Sequence, residues 1–249
     1  MQAISVPSGL RAPRATDQVG VRVAAAKVLV VTGVVFYNWW VVVPFVPGLM
    51  PSVNGFFSDL EATGRPHATL MSDADIAAGL LMIAALVMRG AYAGGSARRE
   101  WKWMVAFAAA GAIGGRFPYA CSEGLSATCR QMEWHLQLPI HHYIHVVAGI
   151  AEFAFLTIAA IFAMQRTRGS GTRAAHVYSL LVKALVVSYP FLGIVYLTDR
   201  LGTLIEPVFF VIFSTMVLAE VYESVGRPTA ADRIPSTWAE RVMARDMAH

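Results

Sequence analysis

Six apolar runs set the limits on what this chain can fold into. They are Val28–Met50, Ile76–Met88, Trp101–Phe117, Ile140–Met164, Val177–Thr198 and Leu204–Tyr222. The second is short and predicts a helix that begins near Ser72. With its ends included, each run supplies roughly 17–25 residues of helix, the length a bilayer requires. Charged residues make up 14% of the chain, against about 25% in a soluble domain. The expected fold class is therefore all-α: a polytopic membrane protein, a bundle of six transmembrane helices.

This divides the chain into three parts: a disordered cytoplasmic arm over 1–27, the six-helix domain over 28–223 and a cytoplasmic tail over 224–249. The arm does not read as a secretory signal, because the apolar run after it is long and lacks a small-residue cleavage pattern. The net charge of +4 fits basic loops rather than a nucleic-acid surface, so no nucleic acid is expected as a partner.

Orientation follows from the loops. Arg11, Arg14, Arg22 and Lys27 precede the first run, and Arg89, Arg98, Arg99 and Lys102 lie between the second and third. Arg166, Arg168 and Arg173 lie between the fourth and fifth, and Arg227, Arg233, Arg241 and Arg245 are in the tail. The alternate loops carry only Arg65, then Arg116 and Arg130, then Arg200. The positive-inside rule places both termini in the cytoplasm and turns loops 51–75, 118–139 and 199–203 outward. The plasma (inner) membrane is the expected location. Cys121 and Cys129 are the two cysteines of the chain and share one outer loop. Outside the cytoplasm such a pair oxidises, so a disulfide is expected there. The spacing is not Cys-x-x-Cys, which assigns the pair to bracing the loop rather than to redox chemistry.

The same region holds His135, His141, His142 and His145. His141 and His145 are four apart at the start of a helix, behind Pro139, and share a face. His142, three before His145, is nearly as close and can replace His141 in the pair. His-x-x-x-His is a metal-ligand spacing. Histidines at the headgroup level bound only to water fit the same pattern. His135 and His67 are the candidate third ligands. Glu152 continues the face of 141, 145 and 149 into the apolar run, and an ionisable residue at that depth marks a functional or structural hydrogen bond. In the first outer loop, Asp73 and Asp75 follow Ser72 as acids of a first helical turn, with Ser72 as cap. Ser58 and Asp59 lack that explanation.

Four features in order carry a resemblance. They are Ser58-Asp59-Leu60-x-x-x-Gly64-x-Pro66, the helix with Gly79-Leu80-Leu81, Phe117-Pro118 closing the third run, and His141, His142 and His145 opening the fourth. Over residues 28–223 the chain resembles the bacterial membrane family termed domain of unknown function 998. That family is similar in pattern to a wider superfamily of alkaline ceramidases and adiponectin-type receptors, in which three histidines, an aspartate and a serine surround zinc and lipid amides are hydrolysed. The resemblance implies zinc as cofactor, with His141 and His145 as ligands and Ser58 and Asp59 as the Ser/Asp pair. Tyr119-Ala120-Cys121 stands where members of the family often carry an aspartate after Phe-Pro.

The expected function is then a metal-dependent intramembrane hydrolase of a lipid amide or ester at the outer face. Its metal ligands would be drawn from His135, His141, His142 and His145. Ser58, Asp59 and Asp73 are its catalytic candidates, Asp59 or Asp73 serving as base or as a carboxylate behind a ligand. Membrane lipids are the expected partners. The alternative is a transporter or lipid-binding protein without chemistry. A haem carrier is the third reading, and it conflicts with histidines concentrated on one helix.

Overall fold

A computed structural model describes residues 15–49, 54–89, 95–198 and 200–223. Its elements in chain order are α1 (Ala15–Tyr37), a 3₁₀ segment (Trp39–Phe45), a 3₁₀ turn (Ser58–Glu61), α2 (Ala68–Arg89) and α3 (Gly95–Arg116). A further turn (Glu123–Leu125), the short α4 (Ala127–Trp134), α5 (Ile140–Thr167), α6 (Arg173–Thr198) and α7 (Gly202–Glu223) complete the order.

Five of these helices, α1, α2, α5, α6 and α7, are long and apolar enough to cross a membrane. The sixth long helix, α3, has the length, but Arg98, Arg99, Glu100 and Lys102 charge its first turns. The helices pack in sequence: α1 on α2, α2 on α3, α3 on α5, α5 on α6, α6 on α7. Then α1 returns to α7 and closes a ring. The tightest seam is α2 against α3. A Cβ on Gly79 would lie 2.5 Å from the Ala108 carbonyl oxygen, and one on Gly115 would lie 2.6 Å from that of Ser72. Small residues let helix backbones approach in this way where lipid supplies no hydrophobic drive. In the middle of the ring Phe107, Phe209, Phe213 and Met216 are buried, with Tyr37 packed edge-on to Phe107.

Three boundaries differ from the sequence expectation. α1 starts at Ala15, so residues 15–27 are helical rather than a disordered arm; residues 1–14 and the 224–249 tail lie outside the described residues. The first run is not one helix to Met50. Its α-helix stops at Tyr37 because the Asn38 side chain donates to the Val34 carbonyl at 2.7 Å, competing with the backbone, and Pro44 has no N–H to give. α2 starts at Ala68, a turn before Ser72. Ser72 is therefore no cap; its hydroxyl donates to Glu61 Oε2 at 3.3 Å.

Cys121 and Cys129 are joined, with Cα atoms 6.0 Å apart. The bond ties the 121–125 turn to α4, whose first turn is capped by Ser126 Oγ accepting the Cys129 N–H at 3.2 Å. The expected loop between α3 and α5 is thus a folded lid.

Candidate functional site

Inside the ring, at the end where the lid lies, is a cavity of about 730 Å³. α2 and the 58–61 turn contribute Asp75 and Glu61, α5 contributes Glu152 and His145, α7 contributes Glu206, and the lid contributes Glu123 and Tyr119. The rest of the lining is largely apolar, with Phe153, Ile158, Leu192, Phe209 and Phe213. Five carboxyl groups line the space, and no Lys or Arg does so among the described residues.

Each carboxyl group has a local anchor. Glu61 and Asp75 are hydrogen-bonded to each other, which requires a shared proton, and Trp39 Nε1 donates to Asp75 Oδ1 at 2.9 Å. Burial holds the Glu61 carboxyl well above the usual range, and the Asp75 charge pushes in the same direction. Glu152 meets the Tyr37 hydroxyl, and its Oε1 sits 2.9 Å from where a Cβ on Gly111 would be. Gly111 therefore makes the room this carboxyl occupies. Lys183 on α6 is exposed and outside the cavity, so it is no partner for Glu152. Glu206 accepts the backbone N–H groups of Phe57 and Ser58.

The lid is held over the cavity by one carboxylate. Glu133 on α4 accepts from Tyr196 on α6 at 2.7 Å and from His142 Nε2 on α5 at 3.2 Å. His142 Nδ1 accepts the Ala120 N–H at 3.3 Å, so its proton sits on Nε2. Arg130 adds a second tie, donating to the Leu197 carbonyl at 2.7 Å. Burial raises the Glu133 carboxyl, but bonds from His142, Glu123 and Tyr196 outweigh it and hold the group at about 2. Glu123 takes the proton of the pair: burial first, then Glu133, push it up to about 9.

The expected site residues separate. Ser58 lines the cavity, its hydroxyl bonded to Glu206. Asp59 is buried and Oδ2 accepts the Phe56 N–H at 2.9 Å, which fixes its own turn. Asp73 is exposed and does not line the cavity. His145 is buried, with Nδ1 donating to the carbonyls of Gly114 at 3.0 Å and Phe117 at 3.1 Å. The Tyr119 ring lies 3.9 Å from the His145 ring, centroid to centroid. His135 caps the exposed C-terminus of α4, its Nδ1 bonded to the Gln131 carbonyl at 2.7 Å. His141 is half-buried and outside the cavity lining.

The donor set does not fit zinc. Both ring nitrogens of His142 are engaged, His135 is turned to the surface, and His145 enters the cavity alone. Among the described residues no three His, Cys, Asp or Glu side chains converge as a metal site. Sequence reasoning passed over Glu61, Glu123, Glu133 and Glu206. The rule that singled out Glu152, an acid within an apolar run, also finds Glu206 in the run Leu204–Tyr222. Nothing in the sequence separates the other three from ordinary loop acids.

Fold and site together define a class: an all-α, multi-pass membrane protein with a buried, acid-lined cavity. Within that class the chain belongs to the family described as Protein of unknown function (DUF998), which matches residues 30–221. No curated protein and no solved structure matches the chain.

Proposed function

We propose that this protein binds, and carries within the membrane, a small cationic amphiphile. The observation behind this is the mixed lining of the cavity: five carboxyl groups set among aromatic and aliphatic side chains, with no Lys or Arg among the described lining residues. Its volume of about 730 Å³ lies within the usual 300–1,000 Å³ range of ligand sites. A positive headgroup there meets carboxyl groups that no Lys or Arg of the described lining opposes, and its apolar tail packs on Phe153 and Phe209. The hydrolase expected from the sequence would hold its ion with several imidazoles, and here the histidines are committed to backbone carbonyls, to Glu133 or to the surface.

The topology that goes with this reading has six spans, α3 included, with both termini in the cytoplasm of a cell whose plasma (inner) membrane holds the protein. The alternation of basic loops supports it. Single cysteines replacing Leu125 in the lid and Ser170 between α5 and α6 check it. An impermeant maleimide should label the first and not the second in intact cells.

Octylamine, octanol and octanoate test the ligand class on purified protein in lipid nanodiscs. Octylamine should raise the melting temperature, octanol weakly, and octanoate not at all. Asp75→Asn and Glu152→Gln should each weaken octylamine binding about 10-fold or more, as losing a charged hydrogen bond does. Equal effects of amine and carboxylate would refute the reading.

A further inference from the structure

A second concavity lies on the outside of the ring, between α3 and α5. It has a volume of about 510 Å³, and Ala106, Ala109 and Ile113 of α3 and Ile144, Val147 and Ala151 of α5 form much of it. On α5 it extends from Ile140 to Phe155. At 1.5 Å per residue that is about 22 Å, more than the half-thickness of a bilayer core about 30 Å deep. The alanines on α3 leave the trough, and its lining is almost wholly hydrocarbon. It is separate from the acid-lined cavity, sharing none of that cavity's lining residues.

One end of the trough carries a charge. Arg116 follows Ile113 by three residues on α3, at the level where α3 ends and α5 begins. It is exposed, lies over the Phe117 ring at 5.9 Å and pairs with no carboxylate among the described residues. His141, half-buried, is next to Ile140 at the same end. By contrast, Arg89 and Arg166 at the other end of the bundle are each bound to glutamate. An apolar trough that ends at a cation unpaired among the described residues, on the headgroup level, is complementary to a phospholipid.

We propose that this trough binds one anionic phospholipid, an acyl chain lying along α3 and α5 and the phosphate held by Arg116. The site needs the membrane-embedded bundle but not an occupied cavity. An arginine near the surface favours an anionic lipid about fivefold.

Native mass spectrometry of delipidated full-length protein, given equal phosphatidylglycerol and phosphatidylcholine, tests it. Wild type should retain one phosphatidylglycerol per chain at about fivefold preference. Arg116→Gln should lose the preference while still taking either lipid, Arg116→Lys should keep it, and Ala109→Phe should lose both lipids by filling the trough. Melting curves matching wild type show that each variant is folded; a variant that fails this is replaced by Val147→Phe for the trough or Arg116→Ser for the charge. Excess inorganic phosphate should not displace the lipid. Equal retention of the two lipids by wild type would overturn the proposal, as would unchanged preference in folded Arg116→Gln or displacement by phosphate alone. A two-chain mass abolished by Ala109→Phe would place a second copy of the chain in the trough and overturn it equally.

Discussion

The two ends of the bundle use the same residue, glutamate in an apolar surround, for opposite purposes. At one end Glu100 receives both Nε and Nη2 of Arg166, at 2.6 and 2.9 Å, and Glu220 receives Arg89. Tyr178 fills in against Glu220. These four side chains fasten α2, α3, α5 and α7 together. At the other end Glu61, Asp75, Glu152 and Glu206 meet hydroxyl, indole, amide or carboxyl partners. The difference lies in the arginine. Opposed by a guanidinium, a buried glutamate is a fastener; unopposed, it becomes the lining of a cavity. A buried charge is costly to leave without its partner, so the two ends should answer differently to the removal of one group.

Arg166→Met should show the largest effect. It leaves Glu100 without its cation, and the loss should be about 3–5 kcal/mol in thermal or denaturant melting. Glu152→Gln is its counterpart at the other end. It replaces a carboxyl group that meets no arginine in the cavity lining and should melt within about 0.5 kcal/mol of wild type. If the two variants melted alike, the contrast between the ends would fail. Next comes the lid. Cys121→Ser with Cys129→Ser opens a loop of sequence separation 8, and chain-entropy reasoning puts the loss at about 2–3 kcal/mol. Non-reducing peptide mapping of wild type should find the two cysteines linked.

A pH dependence follows, smaller in size and confined to the lid. Folded Glu123 keeps its proton up to about pH 9, whereas the unfolded chain releases it near pH about 4.3. The folded value is raised, so this group's contribution is complete below about 4.3 and is lost as the pH rises toward 9. Glu123→Gln cannot titrate, and its melting temperature should gain on wild type steadily from pH 5 to 9. Glu133 behaves inversely: its value is lowered to about 2, so its contribution is present above about 4.3 and fades on acidification. The smallest effect is expected at the surface. His135→Ala and His141→Ala should each change stability by no more than about 0.5 kcal/mol.

Run length and composition located the long helices, because a bilayer demands long apolar runs, but not the ends of α1 and α2 or the short α4. The cysteine pair was legible because the alternation of basic loops put both cysteines in one outer loop, where such a pair oxidises. The histidines misled. Spacing puts His141 and His145 on one face, but it does not say that the carbonyls of Gly114 and Phe117, at the end of α3, lie within reach of His145 Nδ1. Nor does it show that Glu133, nine residues before His142, folds back to it through α4. Glu61 and Asp75 are fourteen apart in sequence and touch only because α2 begins at Ala68 and follows the 58–61 turn closely. Contacts made across turns and helix ends carry no periodic signal.

Glu206 imposes an order on biosynthesis. Its carboxylate receives the N–H groups of Phe57 and Ser58, and Thr203 Oγ1 donates to the Gly55 carbonyl at 2.8 Å. A chain made from its N-terminus reaches residues 55–58 long before residues 203–206. Until the last helix enters the membrane, that early segment has no partner for its amides, and the wall that carries Ser58 and Glu61 cannot take its final form. A nascent chain stopped after α6 therefore has most of its helices and no closed cavity; the ring and the site are completed in the same step.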